Sequence, residues 1–171
     1  MGVQRRLRVG LGLATLGTAV VALALCPRAA AQNKACSLAT ADELQSALGA
    51  KVSGLRGIGT PTGAEVCTGT TPTATVTLRL AKRSPESQGK EVKGIEMVKK
   101  MGAQVQVKTD GPITCSTLIP PANLPQMGYN TTCSVLKNGQ VAAIEVTAKS
   151  QKNMASMDSL HKIAEKMAER I

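Results

Sequence analysis

The 171-residue sequence has no tryptophan and no phenylalanine, and Tyr129 is its single aromatic residue, although 43% of its residues are hydrophobic. Proteins that hold single-stranded nucleic acid stack its bases on rings, and carbohydrate clefts commonly offer an aromatic face. One tyrosine builds neither platform, so nucleic acid is not expected as a partner. Histidine is as scarce, with His161 alone. No two cysteines stand two to four residues apart and that histidine is remote from all of them, so neither a metal site nor another cofactor is expected. Charged residues make up only 19% of the chain. That is too few for a disordered protein, and one domain with an aliphatic core is expected.

What is present begins with an address. Arg5, Arg6 and Arg8 form a basic start, Val9 to Cys26 an apolar run, Pro27 a break, and Ala29, Ala30 and Ala31 a small-residue site of the kind a signal peptidase accepts. Residues 1–31 are therefore expected to be cleaved, leaving a short tail at 32–35 and a domain at 36–171. The alternative is a retained anchor, since eighteen apolar residues reach the short end of the spanning range. Adjacent Arg5 and Arg6 also fit export of a folded chain. A lipid anchor on Cys26 is not expected, because Leu25 stands where a lipoprotein site wants Gly or Ala. Removing residues 1–31 takes away four arginines and no acid, which lowers the formal balance from +10 to +6.

Beyond Cys26 the chain has four cysteines, Cys36, Cys67, Cys115 and Cys133. An even count in an exported protein predicts disulfides, with three connectivities open. Chain order and an internal repeat favour Cys36 with Cys67 and Cys115 with Cys133. In that repeat, Thr40-Ala41-Asp42-Glu43 carries a capping box for a helix that ends at Gly49. A Gly-rich stretch follows, then Cys67 and an alternating run from Ala74 to Leu80 that reads as a strand. A second helix starts near Ser84-Pro85-Glu86 and carries Val92, Ile95, Val98 and Met101 on its apolar side. Met101-Gly102-Ala103-Gln104-Val105 then repeats the pattern of Leu48-Gly49-Ala50-Lys51-Val52, closing a helix and opening a strand. Residues 117–128, with three prolines, read as an irregular connection. Lys137-Asn138-Gly139 signals a hairpin into the strand Val141 to Lys149, and a last helix covers about 157–170. The expected fold is α+β: two helix-then-antiparallel-strands units plus a C-terminal helix, with helices packed on an antiparallel sheet.

The opening Cys36-Ser37-Leu38-Ala39-Thr40, followed by Asp42-Glu43-Leu44 and Ala47-Leu48-Gly49, resembles the start of small exported bacterial envelope proteins with a Cys-Ser-Leu-Leu-Thr opening, the lipoprotein group of domain of unknown function 3558. Cys67 before a strand and the closing Leu160-His161-Lys162-Ile163-Ala164 are similar as well. The chain departs from the group in lacking a lipidation site and in having Thr68 where an aromatic residue often follows the mid-chain cysteine. The resemblance implies a cell-envelope location and a binding or accessory role, and brings no activity. The tandem layout is also similar to secreted β-lactamase inhibitor proteins, which implies fold alone.

No catalytic set emerges from the residues. His161 stands four residues before Glu165, a surface-pair spacing, and no nucleophile accompanies it. Glu86 with Lys90 and Glu96 with Lys100 have the same helical spacing. Gly57-Ile58-Gly59 with Gly63 superficially fits a dinucleotide loop and is better explained by turn chemistry. Thr73-Ala74-Thr75-Val76-Thr77 is a single hydroxyl-bearing run and reads as a polar strand face. Lys90, Lys93 and Lys100 form a candidate basic stripe, and Tyr129 is a candidate contact residue unless it packs over the second disulfide. The expected function is a non-catalytic binding or accessory domain, periplasmic or secreted, acting on an envelope protein or small ligand. The alternative is a basic module docking weakly on anionic lipid or wall polymer, and the third is an enzyme of unrecognised type.

Overall fold

Two capped helices and one tight turn show how closely local sequence dictates local structure here. The computed structural model describes residues 33–171 apart from 62 and 84, and, within 84–92, backbone only. Helix α1 (Ala41–Leu48) begins on the expected capping box. The Glu43 N–H donates to the Thr40 hydroxyl at 3.2 Å and the Thr40 N–H to the Glu43 carboxylate at 2.9 Å. Gly49, at φ 66°, ends the helix in the left-handed conformation that glycine adopts without penalty. Helix α3 (Met157–Glu169) is capped by Ser156, and Leu160, Ile163, Ala164 and Met167 form its buried stripe. Asn138 and Gly139, at φ 52° and 70°, make the two-residue turn that the Asn-Gly pair favours.

Between these helices runs a seven-stranded sheet in the order β1-β2-β3-β7-β6-β5-β4, antiparallel at every junction. The strands are β1 (Ser53–Gly59), β2 (Glu65–Thr70), β3 (Ala74–Lys82), β4 (Gln104–Asp110), β5 (Ile113–Ile119), β6 (Tyr129–Lys137) and β7 (Gln140–Ala148). The first half of the chain supplies a three-stranded meander and the second a four-stranded one. They fuse where β3 and β7 pair over their full lengths, Ala74 with Ala148 through Lys82 with Gln140. The helix α2 (Pro85–Lys100) carries the chain from β3 to the far edge strand β4.

Alternation assigns the two faces of the sheet. On the inner face a single transverse row runs Cys67, Leu78, Ile144, Cys133, Cys115, all fully or almost fully buried. Helix α3 lies across β5, β6 and β7, α1 packs on α3, and the 3₁₀ turn Lys34–Ser37 covers β1, β2 and β3. The core is aliphatic: Leu38, Leu44, Val76, Leu78, Val135, Ile144, Leu160 and Met167 are its large members. Without rings to fill space, several small aliphatic side chains take their place, each worth about 1.5–3 kcal/mol when fully buried if of Val or Leu size.

The expected disulfides form. Cys36–Cys67 ties the 3₁₀ turn to β2, and Cys115–Cys133 joins directly facing residues of β5 and β6. Several expectations change. Asn33 and Ala35 are part of the domain and not a tail: the Asn33 side chain donates to the Val66 carbonyl at 3.0 Å and Ala35 is fully buried. Gly57-Ile58-Gly59 is not a turn but the end of β1, and glycine is needed at 57 because a Cβ there would stand 2.4 Å from Asn33 Cβ. Residues 117–119 complete β5, so the irregular connection is confined to 120–128. Most consequentially, α2 does not pack on the sheet as α3 does. Its principal contact is with β4, and none of its described side chains is buried.

Candidate functional site

The outer face of the sheet mixes short polar side chains with part-exposed aliphatic ones, among them Val66, Leu118, Val141 and Ala143, and nothing on it is buried. Its middle row runs Arg56, Thr68, Thr77, Glu145, Thr132, Ser116, one residue from each of six strands and continued at the β4 edge by Val107. A parallel row includes Arg79, Ser134 and Thr114, and a third Thr70, Thr75, Thr147 and Asn130. Among the described residues, the hydroxyls of Thr68, Thr77, Thr132 and Ser116 have no hydrogen-bond partner in the protein. Each offers one donor and two acceptor positions. Strand spacing separates Thr68 from Thr77 and Thr132 from Ser116 by about 4.8 Å each, and Thr77 from Thr132 by about twice that, with Glu145 between them. These are neutral hydrogen-bonding groups set on either side of Glu145, with no ring to stack on.

One network lies towards one end of that face. The Thr147 hydroxyl donates to Asn130 Oδ1 at 2.5 Å and also lies 3.3 Å from Glu145 Oε1, and the Asn130 amide donates to the Met127 carbonyl at 3.3 Å. Glu145 is the one carboxylate in the strand positions of this face, with Arg56 and Arg79 exposed around it. At the end of the face near Thr75 and Thr147 lies a depression of about 400 Å³ between the β2–β3 turn and the proline-rich connection. Thr70, Thr75, Gln126, Thr147 and Lys149 line it. Its wall is held close by Gly128, at φ 72°, where a Cβ would stand 2.7 Å from Thr147 Cγ2. Pro120 is buried beneath the same connection, and Pro125 opens its 3₁₀ turn. A rigid wall of this kind lowers the ordering cost of binding.

The residues singled out in the sequence fall in different places. The cysteines sit on the inner face, paired and remote from the outer array. Tyr129 is half-buried at the start of β6, opposite Ala148. It does not cover the second disulfide, because Thr131 stands between it and Cys133 on the same face. The Met157 carbonyl instead lies 3.8 Å from Cys133 Sγ. Lys93 and Lys100 are exposed on α2, while the Lys90 side chain, like those of Glu86 and Glu91, lies outside the described residues. Glu96 and Lys100 are both exposed and form no ion pair among the described residues. The signal-like segment and Cys26 lie outside the described residues as well.

His161 is less of a surface group than its spacing with Glu165 implies. Its side chain is 21% exposed, with Nδ1 3.8 Å from Glu165 and Nε2 3.6 Å from Asp110 at the end of β4. Both ring nitrogens face carboxylates, and the cluster joins α3 to β4. Lys108 and Asp158, 3.5 Å apart, tie the same two elements.

Sequence reasoning also missed the joint between the chain's two terminal helices. Arg170 donates two parallel hydrogen bonds to the Glu43 carboxylate, each 2.8 Å, and a third to the Leu38 carbonyl at 2.6 Å. Lys166 approaches the same carboxylate at 3.2 Å. The Arg170 guanidinium, together with the Thr40 N–H, holds the Glu43 carboxyl well below the usual carboxylate range, and Glu43 in turn raises Arg170. The capping-box glutamate is legible in sequence, but its partner 127 residues away is not.

No family model, curated protein or solved structure matches the chain. The two disulfides suit an oxidising, exported compartment. Among the described residues no helix is long and apolar enough to cross a membrane.

Proposed function

We propose that the protein is an exported, non-catalytic binding or accessory domain of the bacterial cell envelope. It recognises an envelope protein or a small ligand through the outer face of its sheet, and its kinship with the domain-of-unknown-function 3558 lipoprotein group belongs to this proposal. The observation that carries it is the row Thr68, Thr77, Thr132, Ser116, four unpartnered hydroxyls in register over five strands with Glu145 between the two pairs. An outer face built for solubility alone is usually dense in long charged side chains. Here the middle row is mostly short hydroxyl side chains set around Glu145, with Arg56 at its end and Arg79 in the next row, so a partner can approach the backbone beside the hydroxyls and form hydrogen bonds there. The disulfides and the fully paired inner strands make that surface rigid.

The test is co-purification from the envelope fraction with wild-type protein and with Thr77→Arg/Thr132→Arg. These substitutions fill the centre of the face without touching the core. Loss of a captured partner by the variant, at unchanged melting temperature, supports the proposal. Retention of the same partner, or turnover of ester, peptide or glycoside substrates by purified protein at an enzyme's rate, refutes it.

A second reading, a basic module docking on anionic lipid or wall polymer, is favoured by the exposure of Lys93 and Lys100 on α2. Binding of that kind collapses as salt rises, because exposed charges are screened beyond about 8 Å at physiological ionic strength. Recognition by the neutral hydroxyl face changes far less over the same range.

A further inference from the structure

We infer that the outward stripe of α2 is a contact surface for an anionic lipid membrane, an inference that rests on the second reading above and narrows it to lipid. Lys93, Met97 and Lys100 stand at i, i+4 and i+7 on one side of the helix, and Met101, in the turn that follows, continues the stripe with its N–H donating to the Met97 carbonyl at 3.1 Å. All four are exposed, Met97 by 60% and Met101 by 40%. Ile95 and Val98, on the other side, are half-buried. The helix thus turns two methionines outward between lysines. Lys90, by backbone position, continues the stripe one turn earlier. Glu96 flanks it, and the side chain of Glu91 is not described.

A helix serving only as a solvated connector gains nothing from exposed methionines, and a soluble polyanion would engage the lysines and leave the thioethers in water. An anionic bilayer takes both groups: methionine enters the headgroup and acyl boundary while lysine stems extend to the phosphates. The two contributions are complementary in physiological salt, where a few exposed charges alone bind weakly. The end of the helix is firmly set. Gly102 is left-handed at φ 92°, the Ala103 N–H donates to the Val98 carbonyl at 3.0 Å, and Ala103 is buried.

The experiment is binding of the disulfide-bonded protein to vesicles of equal phosphatidylglycerol and phosphatidylcholine, to phosphatidylcholine vesicles, and to soluble polyphosphate. Wild type is expected to bind the anionic vesicles and not the neutral ones. Lys93→Gln/Lys100→Gln is expected to bind anionic vesicles roughly 25-fold more weakly, about five-fold per lysine, and to lose polyphosphate as well. Met97→Ser/Met101→Ser is expected to lose about ten-fold on the vesicles while binding polyphosphate as wild type does, and Met97→Leu/Met101→Leu to restore vesicle binding. All three variants alter exposed residues, and unchanged melting temperatures confirm their folding. If the serine variant binds vesicles like wild type, or if wild type binds polyphosphate and not vesicles, the lipid inference fails while the basic-module reading survives. If wild type binds neither, both fail.

Discussion

Replacing Arg170 tests the joint that closes the chain on itself, and its size and pH dependence both follow from the geometry. Arg170→Ala removes a bidentate pair to Glu43 and the hydrogen bond to the Leu38 carbonyl. The Glu43 side chain is 17% exposed and that of Arg170 32%, so the site is neither a freely screened surface pair nor a dry interior one. Surface pairs contribute about 0–1 kcal/mol, and breaking a buried one costs about 3–5 kcal/mol. An intermediate cost of about 2 kcal/mol is expected here, softened because Lys166 and the Thr40 N–H still serve Glu43. For a domain of this length that corresponds to a fall in Tm of about 6–8 °C. Because the folded-state carboxyl of Glu43 is held below its unfolded value, the stabilisation it confers is fully present above the unfolded carboxylate range, about pH 4.3. It is lost progressively as pH falls below that range through the depressed folded value. The gap in Tm between wild type and Arg170→Ala is therefore expected to be constant from pH 7 to about 5 and to narrow from there towards pH 2.5. Glu43→Gln is expected to melt lower than wild type and to remove most of the effect of the arginine substitution. Thermal melts followed by far-ultraviolet circular dichroism across that range decide the matter. A difference under about 0.5 kcal/mol at pH 7, or a gap that does not change with acid, would refute the assignment of Glu43–Arg170 as a stabilising clamp.

Two further outcomes follow from the staples and the glycines. Cysteine-to-alanine replacement of each pair is expected to destabilise by chain-entropy terms set by the sequence separations, 31 for Cys36–Cys67 and 18 for Cys115–Cys133. Those terms are about 4 and about 3 kcal/mol. Urea titrations measure both, and amide exchange should localise the first loss to the Lys34–Ser37 turn. Equal midpoints for variant and wild type would count against a structural role. Gly128→Ala meets Thr147 Cγ2 at 2.7 Å in a left-handed backbone and is expected to cost about 1–3 kcal/mol. Gly94→Ala meets nothing within 4 Å in the middle of α2 and is expected to be neutral or stabilising by up to about 1 kcal/mol. The same sign for both in thermal melts would contradict the placement of the proline-rich connection against β7.

What was legible in the sequence is what local physics decides. The capping box at Thr40 and Glu43, the Asn138-Gly139 turn, the helical stripe of α3 and the alternation of β3 and β7 each declare themselves within a few residues. The disulfide pairing followed from order and repetition. By contrast β1 was obscured by Gly54, Gly57 and Gly59, which read as turn residues. At Gly57 the glycine serves a close approach by Asn33 from outside the strand, a cause that local sequence does not contain. The second helix was legible as a helix, but not its packing, because the half-buried state of Ile95 and Val98 depends on where β4 lies.

The outer face was illegible for a related reason. A strand contributes at most four side chains to it, so no segment of the chain carries more than a fragment of the array. Thr75 and Thr77 are visible as a short polar alternation. Thr132 and Ser116, which stand in the same row as Thr77, are separated from it by 55 and 39 positions in the numbering. Only the register through β7 and β6 brings them into line. The inner row has the same registers, with Leu78, Ile144, Cys133 and Cys115 paired across the same strands. A one-residue slip at any junction would move core side chains into water, and the second disulfide blocks such a slip between β5 and β6. Burial and cross-linking on one side of the sheet therefore set the order of the hydroxyls on the other. The scarcity of aromatic residues has a physical consequence on both sides: the core depends on many small aliphatic contacts and two covalent ties, and the binding proposed for the open face rests on hydrogen bonding and shape instead of stacking.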